Sequence, residues 1–289
     1  MQETEKRLLD LGINLCKGLE KATLLFYYQD VELENIKKIE ANVKKIIVLR
    51  EDKDEDVDLE KLREAGNVIF VPSMDFTRIN KMKLALVISL SSGLLATDEM
   101  VICLSGRKEG PIDSLFCIDM ESENEFLLSV GDVKFGADIK AEVFEKVLSV
   151  ALDLAIIGRE GRAIGTIFML GDVEKVMNYS RQMIFNPFKG YTEDERNILV
   201  GDLSDVLKEY SLLDGAIVIT EEGIIASAGV YLAPSTTVVD LPKGLGSRHI
   251  AAASMTASTN AVAIVVSAST GDVSIFKKGK MVMRIERSS

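Results

Sequence analysis

Residues 22–49 read ATLLFYYQDVELENIKKIEANVKKIIVL, and this stretch decides the fold class. Ala22–Tyr28 is a short apolar run, Glu34–Ala41 is polar and helix-prone, and Lys45–Leu49 (KIIVL) is branched and apolar. Strand, helix and strand in succession, with strands apolar throughout, predict a mainly parallel sheet covered on both faces. The pattern extends both ways. Upstream, Leu8, Leu11, Leu15 and Leu19 recur at helical spacing. Downstream come a short helix near Leu59–Glu64, a strand at Asn67–Val71, a helix over about Asn80–Ala96, and strands near Met100–Leu104 and Leu115–Ile118. The expected class is α/β, with a parallel α/β sandwich over residues 1–125.

The chain has 289 residues, which at roughly 150 per domain suggests two domains. It carries 34 basic and 45 acidic side chains, a net charge of −11, so it has no general attraction for polyanions. No basic stripe is visible and no nucleic-acid partner is expected. Residues 1–125 hold 17 basic and 25 acidic side chains, residues 126–289 hold 17 and 20. The near balance of the second half suits an anionic ligand. The acidic run Glu51–Asp58 lacks the glycine and terminal glutamate of a calcium loop and reads as solvated surface. Three cysteines, Cys16, Cys103 and Cys117, form no CxxC pair, which points to a reducing, cytoplasmic setting. His249–Gly271 is free of formal charge, but its hydroxyls and Asn260 argue for a buried helix and strand rather than a membrane span.

A polar stretch, Glu121–Asp132, marks the boundary, and a second domain of mixed-sheet α/β type is expected over 131–289. Ile139, Val143, Val147, Val150 and Leu154 lie on one helix face, and Ala163–Leu170 reads as a strand. Thr192-Glu193-Asp194-Glu195 is a capping box. It predicts a helix carrying Leu199, Leu203, Val206, Tyr210 and Leu213 on one stripe and ending at Asp214-Gly215-Ala216. Strands at Ile217–Thr220, Ile224–Ser227, Ala261–Ser267, Asp272–Phe276 and near Met281–Ile285 follow. Seven methionines (Met74, Met82, Met169, Met177, Met255, Met281 and Met283) read as core filler.

A single histidine excludes HExxH zinc sites, and neither GxxxxGK[ST], GxGxxG nor GxSxG is present. What remains is Gly244-Leu245-Gly246-Ser247-Arg248-His249 entering an uncharged helix. Glycines allow close backbone approach, and free amides at a helix start bind phosphate oxygens. Ser247 adds a hydroxyl and Arg248 a fixed cationic fork. A glycine turn beside one surface arginine would read the same way. Asp214, between a helix and a strand, can hold a divalent ion, although Asp-Gly is also a common turn dipeptide.

Together these segments resemble the diadenylate cyclase family. The resemblance rests on Asp214-Gly215-Ala216, on LPKGLGSRHIAAAS (241–254), and on the Val-Val-Ser strand end before Thr270-Gly271. GREGRAIGTIFMLGD (158–172) and Asn186-Pro187-Phe188 are similar to the archaeal branch, which carries a pyruvate-kinase-C-terminal-like domain in front, regulatory or oligomerising. The resemblance implies condensation of two ATP molecules into cyclic 3′,5′-di-AMP across a face-to-face homodimer. It implies that Asp214 binds Mg²⁺ or Mn²⁺ and that Gly215 and Ala216 line the ribose. It also implies that Gly246, Ser247 and Arg248 grip phosphates with His249 beside them, that Ser267 contacts a phosphate, and that Leu232 lies under the adenine. The chain departs from the pattern twice. Ile250 stands where many members have a second arginine, and Ala268 where most have a glutamate near the metal. These departures leave a second expectation open, a catalytically inactive sensor of ATP or cyclic di-AMP.

Overall fold

A computed structural model describes residues 3–31, 33–50, 57–72, 76–106, 111–122, 139–156, 158, 164–234, 241, 242 and 244–287. The chain divides into two compact units at residues 126 and 127. Most of the acidic run at 51–58, the boundary segment from 123 onward, Met74 and the 159–163 part of the glycine-rich stretch lie outside the described residues.

The first unit contains α1 (Glu3–Gly18), β1 (Ala22–Tyr27), α2 (Leu33–Lys38), β2 (Lys44–Arg50), α3 (Leu59–Ala65), β3 (Asn67–Val71), α4 (Arg78–Ser91), β4 (Met100–Gly106) and β5 (Ile112–Asp119). Sheet order is β3-β2-β1-β4-β5. The first four strands run parallel, and β5 pairs antiparallel with β4, closing one edge. Successive side chains on a strand face opposite ways. Leu24, Leu25 and Phe26 of β1 are all fully buried, so both faces of the sheet are covered. Asp58 caps α3 by accepting the Lys61 amide at 3.2 Å, and Thr77 caps α4 by accepting that of Asn80 at 3.2 Å.

The second unit contains α5 (Ala141–Ile156), β6 (Thr166–Leu170), α6 (Val173–Asn178), β7 (Ser180–Gln182), α7 (Ser204–Tyr210), β8 (Ala216–Ile219), β9 (Ile225–Leu232), α8 (Ser247–Ser258), β10 (Val262–Val266), β11 (Val273–Lys277) and β12 (Lys280–Ile285). Its seven strands lie in the order β12-β11-β10-β6-β8-β9-β7. Only the β6–β8 pair is parallel, which makes this a mixed sheet. Helix α8 contributes Ala252, Ala253 and Met255 to one buried cluster with Ile167, Val218, Ala263 and Val265. Its small side chains bring its backbone close to the sheet. The uncharged stretch 249–271 is thus the helix and strand expected. Among the described residues, no helix is long and apolar enough to cross a membrane.

One expected element changes. The capping box forms: the Thr192 amide donates to Glu195 at 2.8 Å, and the Glu195 amide to the Thr192 hydroxyl at 3.4 Å. It heads only a single 3-10 turn, Asp194–Arg196. Beyond it the Ile198 amide donates to the Gly223 carbonyl at 2.9 Å and Asn197 bridges Ile224, so tertiary pairing takes the backbone groups a helix would need. The helix resumes at Ser204, whose amide donates to Asp202 at 3.2 Å, and ends before Ser211. Two elements had no reading in the sequence: the six-residue α6 and the three-residue edge strand β7, which pairs with β9.

Candidate functional site

Asp214 stands at the entrance to β8, and Gly215 fixes it there. Gly215 has φ +107°, and a Cβ on it would lie 2.7 Å from the Val230 backbone nitrogen. A side chain at 215 meets both the left-handed backbone penalty and a main-chain overlap. The short turn therefore delivers the Asp214 carboxylate outward, with its side chain 79% exposed.

Gly246 precedes α8 in extended conformation, and its carbonyl accepts the amides of His249 and Ile250. The amides of Ser247 and Arg248 sit in the first turn, ahead of the helix's own bonding. Arg248 Nη2 lies 3.4 Å from Asp214 Oδ1. This pair is exposed, and such pairs contribute about 0–1 kcal/mol. The guanidinium can therefore exchange its carboxylate for a phosphate at little cost.

The pair divides two cavities. One, of about 240 Å³, is lined by Asp214, Gly215, Ala216, Leu232, Ser247 and Arg248 together with Ile167, Met183, Val230, Tyr231 and Ala251. The other, of about 340 Å³, is lined by Gly246, Ser247, Arg248, His249, Ser267 and Ala268, among others. Ser247 and Arg248 belong to both. His249 and Ser267 do not line the Asp214 cavity. The first cavity has an apolar wall suited to a flat ring, and the second is more polar. Sequence reading missed Tyr231, Met183 and Ile167. Its strand at 224–227 stopped short of Tyr231, and β7, which ends just before Met183, carries no periodicity long enough to see. The Arg181 guanidinium lies 4.9 Å over the Tyr231 ring.

In the second cavity, the Ser267 hydroxyl accepts the Thr270 amide at 3.3 Å and lies 3.2 Å from Ser269 Oγ. Asp272 is committed to structure: Arg284 Nε donates to it at 3.1 Å, Arg284 Nη2 donates to the same oxygen, and the Arg287 amide donates at 3.0 Å. Burial works to raise its pKa, but these donors prevail and hold it below the ordinary carboxylate value. His249 is buried, its ring edge-on to Phe276 at 6.0 Å. Burial, and then the charge of Arg284, push its pKa below the usual 6.5. It is therefore a neutral imidazole near pH 7. Because its folded-state value is depressed, its contribution to stability is present above pH 6.5 and is lost as pH falls below it. The chain has one histidine, so one pair of imidazole C–H resonances reports this directly. The titration midpoint should lie under 6.5, and a midpoint at or above that value contradicts the burial argument.

Among the described residues no group of three His, Cys, Asp or Glu side chains could hold a metal ion. Among the described lining residues, Asp214 alone offers a carboxylate to the first cavity. That donor set is too small for a resident ion. It fits a divalent cation that arrives already bound to a triphosphate, which supplies the remaining oxygens. Ala268 is exposed on the rim of the second cavity and is packed against Gly165, where an added Cβ would fall 2.6 Å from that of Ala268.

Residues 153–281, which carry this geometry, match the family model described as DisA bacterial checkpoint controller nucleotide-binding. Diadenylate cyclase of Haloferax volcanii is 38% identical over 200 residues, covering 68% of this chain and 72% of the relative. The chain belongs to the diadenylate cyclase family. Diadenylate cyclase of Methanocaldococcus jannaschii is likewise similar, at 33% identity over 221 residues, 75% of this chain and 70% of the relative. Residues 7–128 match a model described as "Probable sensor domain", so this cyclase-family chain carries that module on its first unit. The solved structure of DacA from Staphylococcus aureus overlaps 50% of this chain and 87% of its own at a TM-score of 0.34 and 22% identity.

Proposed function

We propose that the chain condenses two ATP molecules into cyclic 3′,5′-di-AMP with release of two pyrophosphates. The observation that carries this reading is the 3.4 Å approach of Arg248 to Asp214 where two cavities meet, in a member of the cyclase family. The adenine and ribose enter the cavity walled by Leu232, Gly215 and Ala216. The phosphates lie along the first turn of α8, where the Ser247 and Arg248 amides, the Ser247 hydroxyl and the Arg248 guanidinium meet them. Gly246 keeps that turn open to the phosphates, and Ser267 bounds the far side. The 3′-hydroxyl of one ATP attacks the α-phosphorus of the other, its proton leaves, and pyrophosphate departs. The 3′-hydroxyl of the second nucleotide then attacks the α-phosphorus of the first, losing its proton and releasing the second pyrophosphate, which closes the ring. Such transfers depend on positioning and charge neutralisation, and no protein nucleophile is needed. A divalent cation, Mg²⁺ or Mn²⁺, carried by the triphosphate would neutralise charge there and take Asp214 as a ligand. His249, neutral and wedged on Phe276, positions the α8 turn.

Each cyclase unit holds one ATP, so the cyclase units of two copies must face each other. In support, Met183, Ile184 and Phe185 are 46%, 42% and 101% exposed beside the Asp214 cavity. Contiguous apolar side chains left in water at a site mouth favour coverage by a second chain. The first unit would regulate. Its strand order reverses between β1 and β4, and open α/β sheets take ligands outside the carboxyl ends of the strands there. Asp30 lies at that point, bonded to the Gly106 backbone, its carboxyl pushed up to about 6, chiefly by burial. The thiol of Cys16 is buried and pushed up to about 11, chiefly by that burial, which leaves it a poor nucleophile.

Incubation with ATP and Mn²⁺ or Mg²⁺, followed by chromatography, tests the reaction. Cyclic di-AMP is the expected product, and tight ATP binding without it would favour the sensor reading. Ala268 is what favours that second reading, since the position lacks a carboxylate that would help hold the cation. Ala268→Glu should raise the Mn²⁺-dependent rate, by about ten-fold or more if one further ligand is gained. An unchanged rate would remove Ala268 from the metal argument.

A further inference from the structure

The nucleotide site leaves two features of the sequence unused, Asn186-Pro187-Phe188 and the Thr192–Glu195 box. Together with α7 they enclose a third cavity, of about 480 Å³, which shares no lining residue with the two nucleotide cavities. Its walls are apolar and aromatic: Phe188, Tyr191, Leu203, Val206 and Tyr210. The Phe188 and Tyr210 rings sit 5.0 Å apart, tilted by 60°. Phe188 is buried and forms the floor, whereas Tyr191 is 58% exposed at the rim. The floor is fixed, because Asn186 Nδ2 donates to the Ala226 carbonyl at 2.9 Å and its Oδ1 accepts the Phe188 amide at 3.1 Å.

The charges around this cavity are unbalanced. Glu195, Asp205 and Glu209 contribute three carboxylates, all on exposed residues, of which Asp205 has Lys208 Nζ 3.8 Å away. Among the described lining residues the one cation is Arg196, which donates through Nη1 to the Ile225 carbonyl at 2.8 Å. Aromatic walls with a few polar groups and a volume in the range of small-ligand pockets describe a binding site. A carboxylate rim over aromatic faces selects positive charge, which both the ring quadrupole and the anions attract. We propose that this cavity is a second small-molecule site of the cyclase unit, for a flat aromatic ligand that carries a positive charge.

The chain lacks tryptophan, so the indole emission of tryptamine can be followed on the full-length protein without background. Tryptamine anisotropy should rise saturably and remain so in saturating α,β-methylene-ATP. Glu209→Lys should weaken binding at least ten-fold and Tyr191→Ala at least three-fold. Both positions are exposed, and an unchanged unfolding midpoint shows that each variant is folded. Indole-3-acetate, with the same ring and the opposite charge, should bind at least ten-fold more weakly. Absence of saturation, competitive displacement by the nucleotide analogue, or equal affinity for the two indoles would overturn the proposal. Binding is read without turnover, so this result stands apart from whether the chain makes cyclic di-AMP.

Discussion

Asp214→Asn is expected to lower cation-dependent synthesis of cyclic di-AMP by about 10²–10³-fold, the range seen when one preorganised charge-stabilising group is removed from a transfer site. The substitution is nearly isosteric and the side chain is 79% exposed, so folding is not at stake. It removes the carboxylate that, among the described lining residues, the first cavity offers to a triphosphate-bound cation. ATP affinity measured without divalent ions should hold or improve, because a negative charge 3.4 Å from Arg248 has gone. Rate and affinity therefore move in different directions, which a misfolded variant would not do. Unchanged turnover in saturating Mn²⁺ would remove Asp214 from the reaction.

The second large effect belongs to Arg248→Ala, which should weaken ATP binding about 100-fold or more, as loss of a charge-assisted phosphate clamp implies. An exposed ion pair contributes little to stability, so the unfolding free energy should change by less than the roughly 1 kcal/mol such pairs are worth. Arg248→Lys should recover only part of the affinity. A lysine supplies the charge without the planar fork. Calorimetry with ATP on the three proteins decides the matter, and wild-type affinity in Arg248→Ala would end the assignment of α8 as the phosphate grip.

Both experiments rest on residues that were visible before any coordinates. The helix and strand alternation of the first unit followed from apolar runs such as Leu24–Tyr27 and Ile46–Leu49, because strands buried on both faces leave few polar positions to confuse the pattern. Asp214 and the Gly246–His249 turn were legible only in combination, through their resemblance to the cyclase motifs, since Asp-Gly by itself is a common turn dipeptide. The helix drawn from Thr192 was not correct. Its stripe of Leu199, Leu203 and Val206 has helical spacing, yet Ile198 pairs with Gly223, twenty-five residues on, and local periodicity contains nothing about such a bond. Strand β7 was invisible for the same reason, since three residues, Ser180–Gln182, become a strand only because β9 lies beside them.

The sequence by itself determined which chemistry was possible. One histidine and the absence of common motifs excluded several enzyme classes, and the family resemblance carried by the Asp214 and Arg248 segments pointed to phosphate handling. Only the tertiary structure decided that these segments, 34 residues apart, meet within 3.4 Å. It also sorted the expected residues into two cavities, with His249 and Ser267 away from Asp214. The reason is physical: the identity of a side chain is local, but its neighbours are set by strand order. In this sheet β8 lies beside β9 and β6, and α8 packs over β6, β9 and β10.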